Sequence, residues 1–301
     1  MKKLLNFLKI IGIFLGSLGI ILTLFIVFNN VYFNTSFSID SKLASDFGSF
    51  FGGFVGTIFA ILSIVLIVYT IVAQNIENRK TSLKDNFFKM IDYHNQNVSQ
   101  ITVPNLNAEK DHFENGRRAF VVYKIQIKRL LTLIEKINKK KNLELKEKEL
   151  IDIAYMIFYY GLQGSWEAFI ADKLERYEKS DLIIKEIIKE IEKKPNIKIG
   201  RTNQTNLSTY FRNMYNAVKL IDNSDLMSKK EKKELIKIYR AQLSNPELYV
   251  IFFNIVSRFG KKWKKREFIE KYEFLKNIPK DYCDGYSPDK YFPMKYEHEE
   301  Y

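Results

Sequence analysis

Residues 47–73 read FGSFFGGFVGTIFAILSIVLIVYTIVA, a run without one charged side chain. At about 1.5 Å per residue, a helix of this length exceeds the roughly 30 Å hydrocarbon layer of a bilayer. A second uncharged run, 10–28, precedes it and reaches close to the same thickness. A lysine or aspartate at the centre of a spanning helix costs about 2.5 to 3.5 kcal/mol, so the lack of charge meets a physical requirement of lipid. The expectation is an all-α chain. Residues 1–76 form a two-helix transmembrane hairpin with spans near 10–28 and 47–73, and residues 77–301 form a basic helical cytoplasmic domain.

Flanking charge orients the hairpin. Lys2, Lys3 and Lys9 open the chain, Arg79, Lys80 and Lys84 follow the second run, and the connection 29–46 is short and slightly acidic. The positive-inside rule then keeps both termini in the cytoplasm, making this a multi-pass protein of the cell (inner) membrane. A signal peptide begins similarly, but its apolar core is shorter than the first run, and no Ala-x-Ala cleavage site follows. Small residues recur at four-residue spacing, Gly12 and Gly16 in the first run and Gly48, Gly52, Gly56 and Ala60 in the second. Such a face lets helix backbones approach closely in lipid. It serves either packing of one span on the other or a homo-oligomer.

The formal net charge is +13. Residues 1–76 hold four lysines against Asp40 and Asp46, so nearly all the excess lies beyond the hairpin. That favours an anionic neighbour, lipid headgroups or nucleic acid. The single cysteine, Cys283, excludes an intrachain disulfide and any zinc site that needs two thiolates. His94, His112 and His298 are scattered, and none has an arginine four to six residues upstream, the pattern of helical HEPN ribonucleases. Neither a Walker-type glycine loop nor a GxSxG elbow occurs, and Glu144-Leu145-Lys146 sits in a charge-rich helical run that reads as solvated surface. No metal or cofactor is expected. A non-enzymatic role is the first expectation.

Beyond the second run the helical pattern continues to about residue 101, with Phe87, Phe88, Ile91 and His94 on one side, and Pro104 ends it. Gly116-Arg117-Arg118 leads into FVVYKIQI, which alternates like a strand before the 3.6 period takes over, so helix is predicted through Ile137. Residues 145–192 read as one broken helix or two in succession. A stripe of Leu207, Tyr210, Phe211, Met214, Val218 and Ile221 predicts a further helix. Ser228-x-x-Glu231 and Ser244-Asn245-Pro246-Glu247 are capping boxes. The second box opens ELYVIFFNIVS, apolar nearly all round and thus the expected centre of the soluble core. Gly260 is expected to stop it. A last helix carries Phe268, Ile269, Tyr272 and Leu275 inward, and the aromatic tail beyond Pro279 packs over the helices or stays partly unstructured.

Two N-terminal spans, Gly116-Arg117, Tyr210-Phe211-Arg212-x-x-Tyr215, Tyr239-Arg240-Ala241-Gln242-Leu243-Ser244-x-x-Glu247-Leu248 and Ile269-Glu270-Lys271-Tyr272 together resemble the AbiC-like membrane family of phage abortive infection proteins. The resemblance covers most of the chain, and its most specific part is YRAQLS-x-x-EL. It implies a bacterial antiphage protein that halts or kills the infected cell. The family pattern often places histidine in the Tyr-Phe-Arg helix, where this chain has Asn213 and Asn216.

Arg240, Gln242, Ser244 and Glu247 are expected to gather at a helix junction. They could hold a phosphate or a phage ligand, or simply cap the helices. Arg117, Arg118 and Arg212 are further anion-ligand candidates because guanidinium forks match phosphate geometry, and Tyr210 and Tyr239 lie in the same motifs. Lys261, Lys262, Trp263, Lys264, Lys265 and Arg266 form a basic cluster suited to anionic lipid, with Trp263 at the interface. Tethering favours lipid over nucleic acid. The expected function is a membrane-anchored antiphage effector. Its helical domain senses a phage component or infection product, and its hairpin mediates assembly or membrane damage. The alternatives are a tethered nuclease acting on RNA and a receptor or scaffold that recruits another toxin.

Overall fold

Helix dominates the computed structural model, which describes residues 2–28, 41–105, 112–162, 164–177, 179–193 and 202–300. The chain divides into two compact units, Met1–Lys84 and Asp85–Tyr301. In the first, α1 (Lys2–Phe28) is followed by α2 (Ser41–Phe50), a π-helical turn (Phe51–Val55) and α3 (Gly56–Gln100), whose last turns belong to the second unit. Residues 3–25 and 44–100 include helices long and apolar enough to cross a membrane, and only 6% of the apolar window in each is buried by the protein itself. Phe7, Ile10, Phe14, Ile64 and Ile67 are among the side chains left uncovered.

The glycines of the two apolar helices do different things. Gly12 and Gly16 lie against Leu62, and a methyl group at Gly19 would come within 3.1 Å of the Phe59 ring. Gly48 and Gly52 have nothing within 4 Å of where a Cβ would stand, Gly56 faces only the Phe51 carbonyl, and Ala60 is exposed. The contact between the helices is therefore glycine on α1 against large residues on α3. The π-turn explains why the four-residue repeat of 48–60 does not form one continuous contact face: its wider turn shifts the helical phase between Gly48 and Gly56.

In the second unit, β1 (Thr102–Pro104) pairs antiparallel with β2 (Phe113–Asn115), the only sheet among the described residues. Pro104 lies in this ribbon, so α3 ends before it reaches the proline. Gly116 adopts φ 60° and ψ −132°, a conformation open to glycine alone, and turns the chain into α4 (Arg117–Lys141). FVVYKIQI is helical. The segment after it breaks into three helices, α5 (Glu147–Tyr160), α6 (Trp166–Leu174) and α7 (Ser180–Lys193), with Gly161 and Gly164 at positive φ at the first break and Lys179 at the second. α8 (Gln204–Asp222) buries the predicted stripe, apart from the partly covered Phe211.

α9 (Lys229–Arg240) and α10 (Asn245–Val256) both open at the predicted capping boxes. Every residue from Glu247 to Val256 is buried, and α10 packs on α4 and α5, which pack on each other. α10 ends at Ser257, not at Gly260. Gly260 instead closes a 3-10 turn so tightly that a Cβ there would stand 1.9 Å from the Ile255 carbonyl oxygen. The basic cluster that follows is itself helical, α11 (Lys261–Lys265). The last predicted helix shrinks to α12 (Phe268–Lys271) followed by turns, and the tail, with α13 (Pro288–Tyr291), buries Cys283, Tyr286, Phe292 and Tyr296.

Candidate functional site

α10 begins with a carboxylate that is 1% exposed. Glu247 accepts from the Ser244 N–H (2.9 Å) and Oγ–H (2.6 Å) through Oε2, and from the Tyr210 hydroxyl (3.3 Å) through Oε1. A carboxylate in the first turn also complements the positive end of the helix dipole. Nε2 of His94, on α3, lies 3.6 Å from Glu247 Oε1, long for a hydrogen bond, and has no other partner among the described residues. Its Nδ1 is 3.0 Å from the Tyr239 hydroxyl at the end of α9. The imidazole also packs on both phenol rings, 4.7 Å from Tyr210 and 5.1 Å from Tyr239 between centroids.

Electrostatics assigns the protons. Burial, with the Glu247 charge adding to it, pushes both phenols well above their ordinary value, so each stays protonated. Burial also works against the Glu247 charge, but the His94 ring and the Ser244 hydroxyl and N–H outweigh it and hold the carboxyl below its ordinary value. The Tyr239 hydroxyl and His94 Nδ1 share one hydrogen bond, whose direction follows the tautomer of the ring. Arg117, opening α4, reaches in from the surface. Its Nη2 donates to the Gln242 carbonyl at 2.8 Å, and its Nε stands 3.8 Å from Glu247 Oε2.

The structure thus gathers five of the expected site residues, Arg117, Tyr210, Tyr239, Ser244 and Glu247, with Gln242 joining through its backbone oxygen. Arg240 is not with them. It is buried on the opposite side of α9's last turn, donating to the Glu273 carbonyl at 2.7 Å, because adjacent helical positions diverge by about 100°. Arg118 and Arg212 are exposed and make no hydrogen bond or ion pair with a described residue. His94 is the member that sequence reasoning assigned no role. Its place in the Phe87, Ile91, Val98 stripe was the available signal. The histidine of the cluster therefore comes from α3, while Asn213 on α8 donates to the Met90 carbonyl at 2.8 Å.

With His94, Tyr210 and Tyr239 at 0% exposure, no substrate reaches these atoms. The arrangement is a buried polar lock joining α3, α8, α9 and α10, with Arg117 as its surface edge. The basic cluster is divided. Trp263 is 4% exposed, packed on Phe268 and Phe274, which corrects the expectation of an interfacial ring: in α11 it falls on the core side. Lys264 donates to the carbonyls of Val256 and Ser257, and Arg266 to Asn223. Lys261, Lys262 and Lys265 remain outward. Among the described residues, no group of three His, Cys, Asp or Glu side chains could hold a metal ion.

No curated protein and no solved structure matches the chain. A family model does, over residues 202–283, which contain α8 to α12 and therefore Tyr210, Tyr239, Ser244 and Glu247 of the lock. Its description is "Putative phage abortive infection protein", so the AbiC-like resemblance read from the sequence is supported over that segment.

Proposed function

We propose that this is a membrane-anchored abortive infection effector. On this reading α1 and the apolar part of α3 cross the cell membrane as a hairpin with both termini in the cytoplasm. The helical unit 85–301 senses an infection product, and rearrangement or assembly of the hairpin damages the membrane. The observation that carries the reading is α3 itself. Its apolar turns are almost uncovered by protein, and its last turns place His94 among the residues of the family-matched segment. A helix with both properties is a physical route from sensor to anchor, since a change at the lock acts on the helix that enters the lipid.

The test is phage challenge of expressing cells with simultaneous readout of membrane potential and RNA integrity. Collapse of the potential before lysis, with RNA intact, is the expected result. RNA cleavage at an unchanged potential overturns the proposal in favour of a tethered nuclease.

A further inference from the structure

A second feature of the 85–301 unit lies outside the lock. An open cleft of about 450 Å³ runs between the start of α5, the chain after α6, the end of α10 and α11. This volume falls in the range of small-molecule sites, about 300 to 1,000 Å³. Its floor is Asp152, 3% exposed, which accepts from the Arg258 N–H (2.7 Å), Nε (2.9 Å) and Nη2 (2.6 Å), and from Arg176 Nη2 and the Tyr177 hydroxyl, both at 2.6 Å. One carboxylate thus fixes two guanidiniums, and neither spends all its N–H donors.

The remaining charge is not balanced. Lys148, Lys261 and Lys264 also line the cleft, and none pairs with a carboxylate among the described residues. Lys264 is spent on backbone carbonyls, Lys148 lies over the Tyr291 ring at 5.7 Å, and Lys261 has no partner among the described residues. The only other acid of the lining, Glu149, accepts from the Lys146 N–H at 2.8 Å. Burial, and then the nearby Lys148 charge, lower the Lys264 ammonium from its ordinary value, with the Asp152 carboxylate acting in the opposite direction.

We infer that this cleft binds a phosphate-bearing ligand, held by Lys148 and Lys261 at its rim and by the guanidiniums that Asp152 fixes at its floor. Guanidinium forks match phosphate oxygens, and a dianion would relieve the repulsion among the lysines. Two sources offer this chemistry, a soluble phosphate compound and a phospholipid headgroup. The inference is independent of the membrane reading, because it concerns the helical unit alone.

The experiment is thermal unfolding of the full chain in detergent with ADP, with inorganic phosphate, with short-chain phosphatidylglycerol, and with short-chain phosphatidylcholine as the headgroup lacking net charge. A ligand that binds only the folded state raises the midpoint in a saturable way. The expected result is such a shift with ADP or phosphate, weakened at least tenfold in Lys148→Gln/Lys261→Gln and retained in Lys262→Gln, which lies outside the cleft. A shift with phosphatidylglycerol alone, lost in the same double variant, supports the site with a headgroup as its source. Absence of any shift at millimolar probe, or equal weakening in Lys262→Gln, overturns the inference. Neither mutated lysine makes a hydrogen bond or an ion pair among the described residues, and Lys148 gives up only its long contact with the Tyr291 ring, so the double variant is expected to fold.

Discussion

The Tyr239 hydroxyl lies 3.0 Å from Nδ1 of His94, across 145 positions of sequence, and both residues are fully buried. This contact satisfies one ring nitrogen while the other meets only the longer Glu247 approach. The lock therefore depends unequally on its two phenols. Tyr239 is the one hydrogen-bond partner of a buried imidazole, whereas Tyr210 is one of several donors to a carboxylate that Ser244 already serves twice.

Tyr239→Phe is expected to cost about 1 to 3 kcal/mol, the penalty for stranding a buried polar atom. Tyr210→Phe should cost about 0.5 to 1.5 kcal/mol, the net worth of one ordinary hydrogen bond. Chemical denaturation of the two variants checks the order. Equal losses would mean that His94 is satisfied elsewhere.

Asp152 ties stability to pH. Burial alone would raise its carboxyl, but the bonds from Arg258 and Tyr177 prevail and hold it below its ordinary value. A carboxylate depressed in the folded state contributes stability that is complete above the unfolded value, about 4, and is lost as pH falls from there through the folded value. Asp152→Asn is thus expected to destabilise at pH 7 by about 3 kcal/mol, the low end for breaking a buried pair because Arg176 and Arg258 reach solvent. The gap to the natural chain should narrow as pH falls below 4. Denaturation at pH 7 and pH 3 measures it, and a gap of constant size would remove Asp152 from the account.

What could be read in advance follows the range of the interaction. The capping boxes at Ser228 and Ser244, the stripe of α8 and the all-round apolar α10 are local patterns, each complete within a few turns, and their helices form there. The partners of His94, and Arg258 among those of Asp152, lie more than a hundred residues away, and no spacing rule connects them. Arg240 shows the same limit at short range. It shares a motif with Glu247 but leaves the helix in another direction and spends its donor on Glu273. Trp263 was misplaced because a run of lysines around an indole reads as surface, whereas α11 turns that one position inward.

The two sets of glycines in the apolar unit should respond differently to added side chains. Gly19 of α1 stands where a methyl group would meet the Phe59 ring at 3.1 Å, so Gly19→Leu forces the two helices apart and is expected to lower the unfolding midpoint of the detergent-solubilised chain. Gly52 meets nothing within 4 Å, and its φ is helical, so Gly52→Ala leaves the packing of the single chain intact and, by helix propensity, is neutral or stabilising by up to about 1 kcal/mol. Comparing midpoints and masses of the two variants separates contacts within the chain from contacts between copies. If Gly52→Ala changed the mass of the detergent complex while leaving a monomer's midpoint untouched, the open glycine face would serve assembly. If Gly19→Leu left the midpoint unchanged, the packing of Gly19 on Phe59 would not hold α1 and α3 together.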